Sequence, residues 1–193
     1  SGSVSILTGT SSEGHSGAFV VETGEATEGH GGSVLVQVGT GRSGDGGVVE
    51  LVAGNTTAEG TRGGEVAITA GSGTSEASDG GNGGHVRITG GSALGLGSVD
   101  DGGSIFVTGG YAEEGTGGSI TLKTGRSYES TSGNVTVVTA DAGVGGVSGW
   151  ISLQTGSSSE GSSGSVVVET GTAKEGRGGD VSVLVGTGDS GRG

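Results

Sequence analysis

Apolar and polar residues follow one short pattern that recurs twelve times along the chain. Each copy opens with a glycine, continues with a run whose second and fourth positions are apolar, and ends with a turn glycine and a polar Gly/Ser-rich segment. Most copies are 15 residues long, and the opening glycines are Gly2, Gly17, Gly32, Gly47, Gly64, Gly84, Gly103, Gly118, Gly133, Gly149, Gly164 and Gly179. A fixed period of this length predicts a solenoid, in which each copy buries its apolar face by stacking on its neighbours.

Within each run, the alternation of side chains predicts a β-strand with two distinct faces. In the copy that opens at Gly164, Val166 and Val168 fall on one face, whereas Val167 and Glu169 fall on the other. Only two large side chains per copy point to the first face, so the Gly-rich half must form a thin opposite wall. We therefore predict an all-β fold, a thin parallel β-solenoid (β-helix) of twelve coils with about 15 residues per coil.

The repeat is unbroken over residues 1–193, which predicts a single uncapped β-solenoid domain. Ser1 matches the residue that precedes an opening glycine elsewhere, and Thr187–Gly193 completes the last copy. A bare end coil would expose unpaired backbone groups. We therefore expect the segment to continue axially, either in a longer polypeptide or by head-to-tail stacking into an open filament.

Composition narrows the alternatives. With 51 glycines in 193 residues the chain could be a flexible linker, but linkers do not place apolar residues at fixed offsets. The absence of proline favours stacked strands, whose amides nearly all donate hydrogen bonds. A net charge of −13 argues against a nucleic-acid partner, and the lack of a long apolar stretch predicts no membrane span.

The sequence contains two pairs of candidate metal ligands. Glu13 and Glu28, with His15 and His30, occupy equivalent positions in the first two copies, where stacking would bring them together. The third copy has Asp45 instead of a histidine, and an acidic stripe is more typical of a solvated edge. We predict no metal site and no cofactor, with these four residues as the only candidates and Ca²⁺ as a candidate ion.

Nothing in the sequence indicates catalysis. It has no Cys, no Ser/His/Asp constellation with a supporting signature, and no Gly-x-x-x-x-Gly-Lys-Ser/Thr phosphate-binding loop. We therefore predict no catalytic residues and a protein that is not an enzyme.

Two sequons, Asn55-Thr56-Thr57 and Asn134-Val135-Thr136, make Asn55 and Asn134 candidates for N-glycosylation. Glycans at these sites would imply a secretory route. The two sequons therefore favour an extracellular or cell-surface location.

A second set of apolar residues falls on the outward face of the predicted strands. A line of such residues is what a buried lateral interface needs, so we predict that this face packs against another chain or another part of the same rod. The ten candidates are Leu7, Val20, Leu35, Val48, Val52, Phe106, Val138, Trp150, Val167 and Leu184.

The motif Ser/Gly-Gly-x-Val-x-Val-x-Thr-Gly, present in residues 163–171 and 132–140, resembles the Gly/Ser-rich β-solenoid repeats of secreted and cell-surface fibrous proteins. The resemblance covers the whole chain and implies the architecture of a fibrous β-solenoid. We predict a structural role for the protein. The protein would form an extracellular filament or surface appendage by self-association, through axial stacking of β-coils and lateral packing of the outward apolar residues. The alternative is an ice-binding or adhesive module. An ice-binding array would need a regular series of threonines, and only Thr69, Thr89 and Thr108 follow one another at the fifth position of the run.

Overall fold

The computed structural model describes residues 2–77, 80–97 and 99–189 and shows neither a helix nor a β-strand in any of these ranges. The predicted all-β fold, a parallel β-solenoid of twelve coils, is therefore wrong for the described residues. Ser1 and residues 190–193, on which the expectation about the chain ends partly rests, lie outside them.

Two units are distinguished by their internal contacts, Ser1–Ile105 and Phe106–Gly193. The boundary lies inside the apolar run of the copy that opens at Gly103. Both units are built from the same repeat. The single repeat domain stays a prediction.

Neither unit has an apolar core in its described residues. Every Val, Ile, Leu, Phe, Tyr and Trp described is exposed. The two faces of the predicted strand do not differ in burial. Val166 and Val168 are 61% and 73% exposed, and Val167, on the opposite face, is 72% exposed. Alternation along the run therefore does not separate buried from exposed side chains.

The accessible surface measures how little is buried. The chain exposes 19772 Å². A compact protein of 18.0 kDa exposes roughly 8,000 Å² and its extended chain about 26,000 Å². Most of the surface that a compact fold would bury thus stays in contact with solvent.

One bend in the polar segment accompanies most copies, which shows that the sequence repeat has a structural counterpart. Bends centred about 15 residues apart occur at residues 12–14, 27–29 and 42–44, and again at 113–115 and 128–130. Further bends lie at 159–161 and 174–176. The apolar runs between these bends pair with no neighbour as a strand in the part of the chain that is described.

The solenoid prediction fails because each repeat is ordered locally and not against the next run. The backbone hydrogen bonds between described residues close the polar segments at their bases or form tight turns within them. None joins one apolar run to the next. With only two large inward side chains per copy and a glycine-rich remainder that loses much conformational freedom on ordering, burial gives little compensation for stacking within one chain.

Candidate assembly surface and its loop closures

The most regular contact in the structure joins a turn glycine to the next opening glycine. We call it a loop closure. The amide of the opening glycine donates to the carbonyl of the turn glycine across the polar segment, at 2.8–3.1 Å. The five closures, from donor to acceptor, are Gly64 to Gly54, Gly84 to Gly71, Gly103 to Gly91, Gly118 to Gly110 and Gly133 to Gly125.

Among the five closures, the length of the bond does not depend on the length of the loop. The two glycines are 8 residues apart for Gly110 and Gly118 but 13 residues apart for Gly71 and Gly84, and both bonds measure 2.8 Å. Three loops are longer than the others and are called expanded loops, residues 55–63, 72–83 and 92–102. They are closed at their bases in the same way as the two shorter loops. Their extra residues are accommodated between fixed ends.

The sixth residue of the run packs at each closure. Only seven described residues are half-buried, and five of them are the sixth residues of the copies that have a closure. These five are Ala53, Ala70, Gly90, Gly109 and Thr124. The closure is therefore the best-packed part of the repeat.

Close approach explains the opening glycine in seven of the twelve copies, where an added Cβ would lie within 3.3 Å of another atom: Gly32, Gly47, Gly64, Gly103, Gly118, Gly133 and Gly149. A Cβ built on Gly47 would lie 2.5 Å from Val38 Cγ1, and one on Gly118 would lie 2.7 Å from the Gly110 nitrogen. A side chain at Gly118 would force its closure apart, and one at Gly47, where no closure bond is formed, would displace the Val38 side chain. Where the sixth residue of the run is itself glycine, as at Gly109, its Cα also lies very close to the next opening glycine. A Cβ on Gly109 would clash with the Gly118 carbonyl oxygen.

Threonine at the sixth position adds a side-chain bond in one copy. The Thr23 hydroxyl donates to the Gly32 carbonyl oxygen at 3.1 Å, across a loop for which no backbone closure bond is formed. A Cβ on Gly32 would lie 3.0 Å from Thr23 Cβ, so the two residues are in the same close approach as elsewhere. The hydroxyl thus takes the place of the backbone bond.

Hydroxyl groups also order the expanded loop next to the first sequon. Thr56 and Thr61 are hydrogen-bonded through their hydroxyls at 2.8 Å, and the Thr61 hydroxyl also lies 2.8 Å from the Ala58 carbonyl oxygen, its acceptor. Asn55 is exposed at the base of this loop, directly after the turn glycine Gly54. Asn134, in the second sequon, is exposed at the first position of a run.

All ten candidates for the lateral interface are exposed, with exposed fractions from 69% for Val20 to 89% for Phe106. Trp150 is 88% exposed. The residues at the second and fourth positions are also exposed, so both sets are available to a partner. Which set is used stays a prediction.

The four candidate metal ligands do not form a cluster. Glu13, His15, Glu28 and His30 are all exposed. Within the described ranges, no three His, Cys, Asp or Glu residues lie close enough together to hold a metal ion. The described residues also enclose no pocket.

No protein-family model, no curated protein and no solved structure matches this chain. Across the described residues, no helix is long and apolar enough to cross a membrane.

The repeat contains a signal for the closures that the solenoid prediction does not use, because that prediction places the Gly-rich half of each copy in a thin wall. The signal that points to closure is the constancy of the turn and opening glycines on either side of a segment whose length varies, for example between Gly54 and Gly64 and between Gly71 and Gly84. Constant ends around a variable segment are typical of a loop closed at its base.

Proposed function

We propose that this protein is a structural, non-catalytic protein that works by self-association into filaments through the apolar side chains of its repeated runs. The observation that carries the proposal is the exposure of every described large apolar side chain, at the same positions in copy after copy. Exposed apolar surface on this scale marks an interaction surface. A partner with the same spacing of apolar residues is a second copy of the chain.

Because the apolar runs are repeated, contacts that are weak individually are sufficient for stable association of two chains. Burying one valine side chain fully contributes about 1.5 kcal/mol, which changes a binding constant about tenfold. Twelve copies, each with at least two such side chains, multiply this effect along the chain. The net charge of −13 opposes random precipitation and so favours ordered association over collapse.

An extracellular or cell-surface location is part of the same proposal. Its support is the pair of sequons, whose Asn55 and Asn134 are both exposed to modifying enzymes. Mass spectrometry of native protein that finds both asparagines unmodified would remove this support but leave the self-association proposal intact.

The proposal is tested by following assembly of the purified chain against concentration, by sedimentation and negative-stain electron microscopy. We expect elongated assemblies that lengthen as concentration rises. A monomer that persists at high concentration would refute the proposal.

A matched pair of variants tests which apolar residues carry assembly. Val48 lies in a run and is 82% exposed, whereas Val99 lies in the expanded loop between Gly91 and Gly103 and is 84% exposed. We expect Val48→Ser to raise the concentration needed for assembly by about tenfold. Val99→Ser, which removes the same groups, should leave it unchanged. Equal effects from both variants would show that the runs are not the assembly surface.

A further inference from the structure

Asn82 differs from the other two asparagines of the chain in the residue that follows it. Asn82 precedes Gly83, whereas Asn55 and Asn134 precede the β-branched Thr56 and Val135. Asn82 and Gly83 are exposed and lie outside any helix or strand. A following glycine lets its backbone nitrogen approach the asparagine side chain, because no Cβ obstructs the approach and the backbone rotates freely.

The surroundings of Gly83 leave this approach open. A Cβ built on Gly83 would meet no atom within 4 Å. Among the described residues, no backbone hydrogen bond engages the Gly83 amide, whereas the next amide, of Gly84, donates to Gly71 at 2.8 Å. The Gly83 nitrogen is therefore free to approach the Asn82 side chain, whereas Gly84, the next residue, is fixed by its hydrogen bond to Gly71.

From this arrangement we infer that Asn82 is a site of spontaneous covalent modification, deamidation through a cyclic imide, and that its isoaspartyl product opens the loop closure between Gly71 and Gly84. The Gly83 nitrogen loses its proton to water and forms a bond to Asn82 Cγ. The side-chain nitrogen takes up a proton from water, its bond to Cγ breaks, and ammonia leaves. Water then opens the ring. Attack at Cγ gives aspartate, and attack at the main-chain carbonyl gives isoaspartate, without oxidant or reductant.

The position of Asn82 gives the reaction a structural consequence. A Cβ on Gly73 would lie 2.6 Å from the backbone nitrogen of Asn82, and one on Gly81 would lie 2.9 Å from Gly73 Cα. The two sides of the loop are therefore almost in contact here. Isoaspartate inserts one additional methylene into the main chain and leaves a carboxylate beside it. Extra main-chain length next to a close backbone approach displaces the neighbouring Gly84 amide from its acceptor.

The test is to incubate the purified chain in warm, mildly alkaline buffer and to follow all three asparagines by peptide mass spectrometry with a fragmentation method that distinguishes aspartate from isoaspartate. A barrier higher by ~1.4 kcal/mol slows a step about tenfold. We expect conversion at Asn82 on the order of tenfold faster than at Asn55 or Asn134. Equal rates at the three sites would overturn the proposal.

Gly83→Ala is the matched variant, because the open space around Gly83 accepts a methyl group while the methyl hinders attack on Asn82. We expect it to slow conversion of Asn82 on the order of tenfold, and an unchanged rate would contradict the mechanism.

Amide hydrogen exchange at Gly84 tests the structural consequence. Exchange should speed up in the isoaspartyl product but not in Asn82→Asp, which has the added charge without the added methylene. Unchanged exchange at Gly84 in the isoaspartyl product would overturn this part of the proposal.

Discussion

Replacing Gly118 by alanine is the sharpest test of the loop closures. The Gly118 amide donates to the Gly110 carbonyl at 2.8 Å, and a Cβ on Gly118 would lie 2.7 Å from the Gly110 nitrogen. The methyl group cannot be accommodated against backbone without moving the two residues apart. Gly118→Ala should therefore remove a hydrogen bond worth about 1 kcal/mol.

Gly125 supplies the matched control. A Cβ there would meet no atom within 4 Å, so Gly125→Ala changes the same atoms without a clash. Its only effect should be to restrict the open chain, which favours the ordered form by about 0.4–1 kcal/mol. The protection of the Gly133 amide, which donates to Gly125 at 3.1 Å, should therefore stay the same or rise by up to about fivefold in this variant, and should not fall.

The assay is amide hydrogen exchange, read by NMR at residue 118 and at Gly133. A loss of ~1 kcal/mol lowers the ratio of closed to open loop about fivefold, so exchange at residue 118 should accelerate by that factor in Gly118→Ala. Exchange at Gly133 should stay unchanged there. If the amide of residue 118 keeps its parental protection after the substitution, the explanation of the opening glycines by close approach is wrong.

Three further substitutions test separate contacts. Glu175 has a left-handed φ of 62°, so Glu175→Gly should relieve about 1 kcal/mol of backbone strain, seen as a more populated bend in NMR couplings; an unchanged bend population would argue against strain at this residue. Thr23→Val removes the hydroxyl that bonds to Gly32, and should accelerate local hydrogen exchange in that loop, whereas equal exchange in both proteins would show that the hydroxyl does not hold it. Arg126 lies 5.9 Å from the centre of the Tyr128 ring, so Arg126→Gln should shift the Tyr128 fluorescence while leaving the closure at Gly133 intact; an unchanged spectrum would contradict the contact.

How far the sequence predicted the structure depends on whether a feature is local. The twelve-fold repeat and its polar segments correspond to bends that recur about every 15 residues. The hydrogen bond from the Thr23 hydroxyl to the Gly32 carbonyl oxygen likewise spans a single polar segment. These features depend on residues a few positions apart, which the sequence places close together without any knowledge of the fold.

The predicted solenoid needed information that a single sequence does not contain. Alternation in a run such as residues 165–169 shows which side chains would share a face if the run were a strand, but not whether another backbone pairs with it. In the structure no such pairing occurs within the described residues, and Val167 and Val168 are equally exposed. The ten lateral-interface candidates, the sequons and the four possible metal ligands therefore stay predictions, since each concerns a partner that is not in the chain itself.

Because a closed polar segment begins and ends at the same place, its length need not affect the course of the chain before and after it. Since Gly71 and Gly84 meet as closely as Gly110 and Gly118, residues can be gained or lost between such a pair without shifting the apolar runs on either side. Insertions and deletions can thus accumulate in one polar segment while the apolar runs keep their positions relative to each other. A repeat of this kind is a natural site for grafting foreign peptides, with each closed segment acting as an independent insertion point.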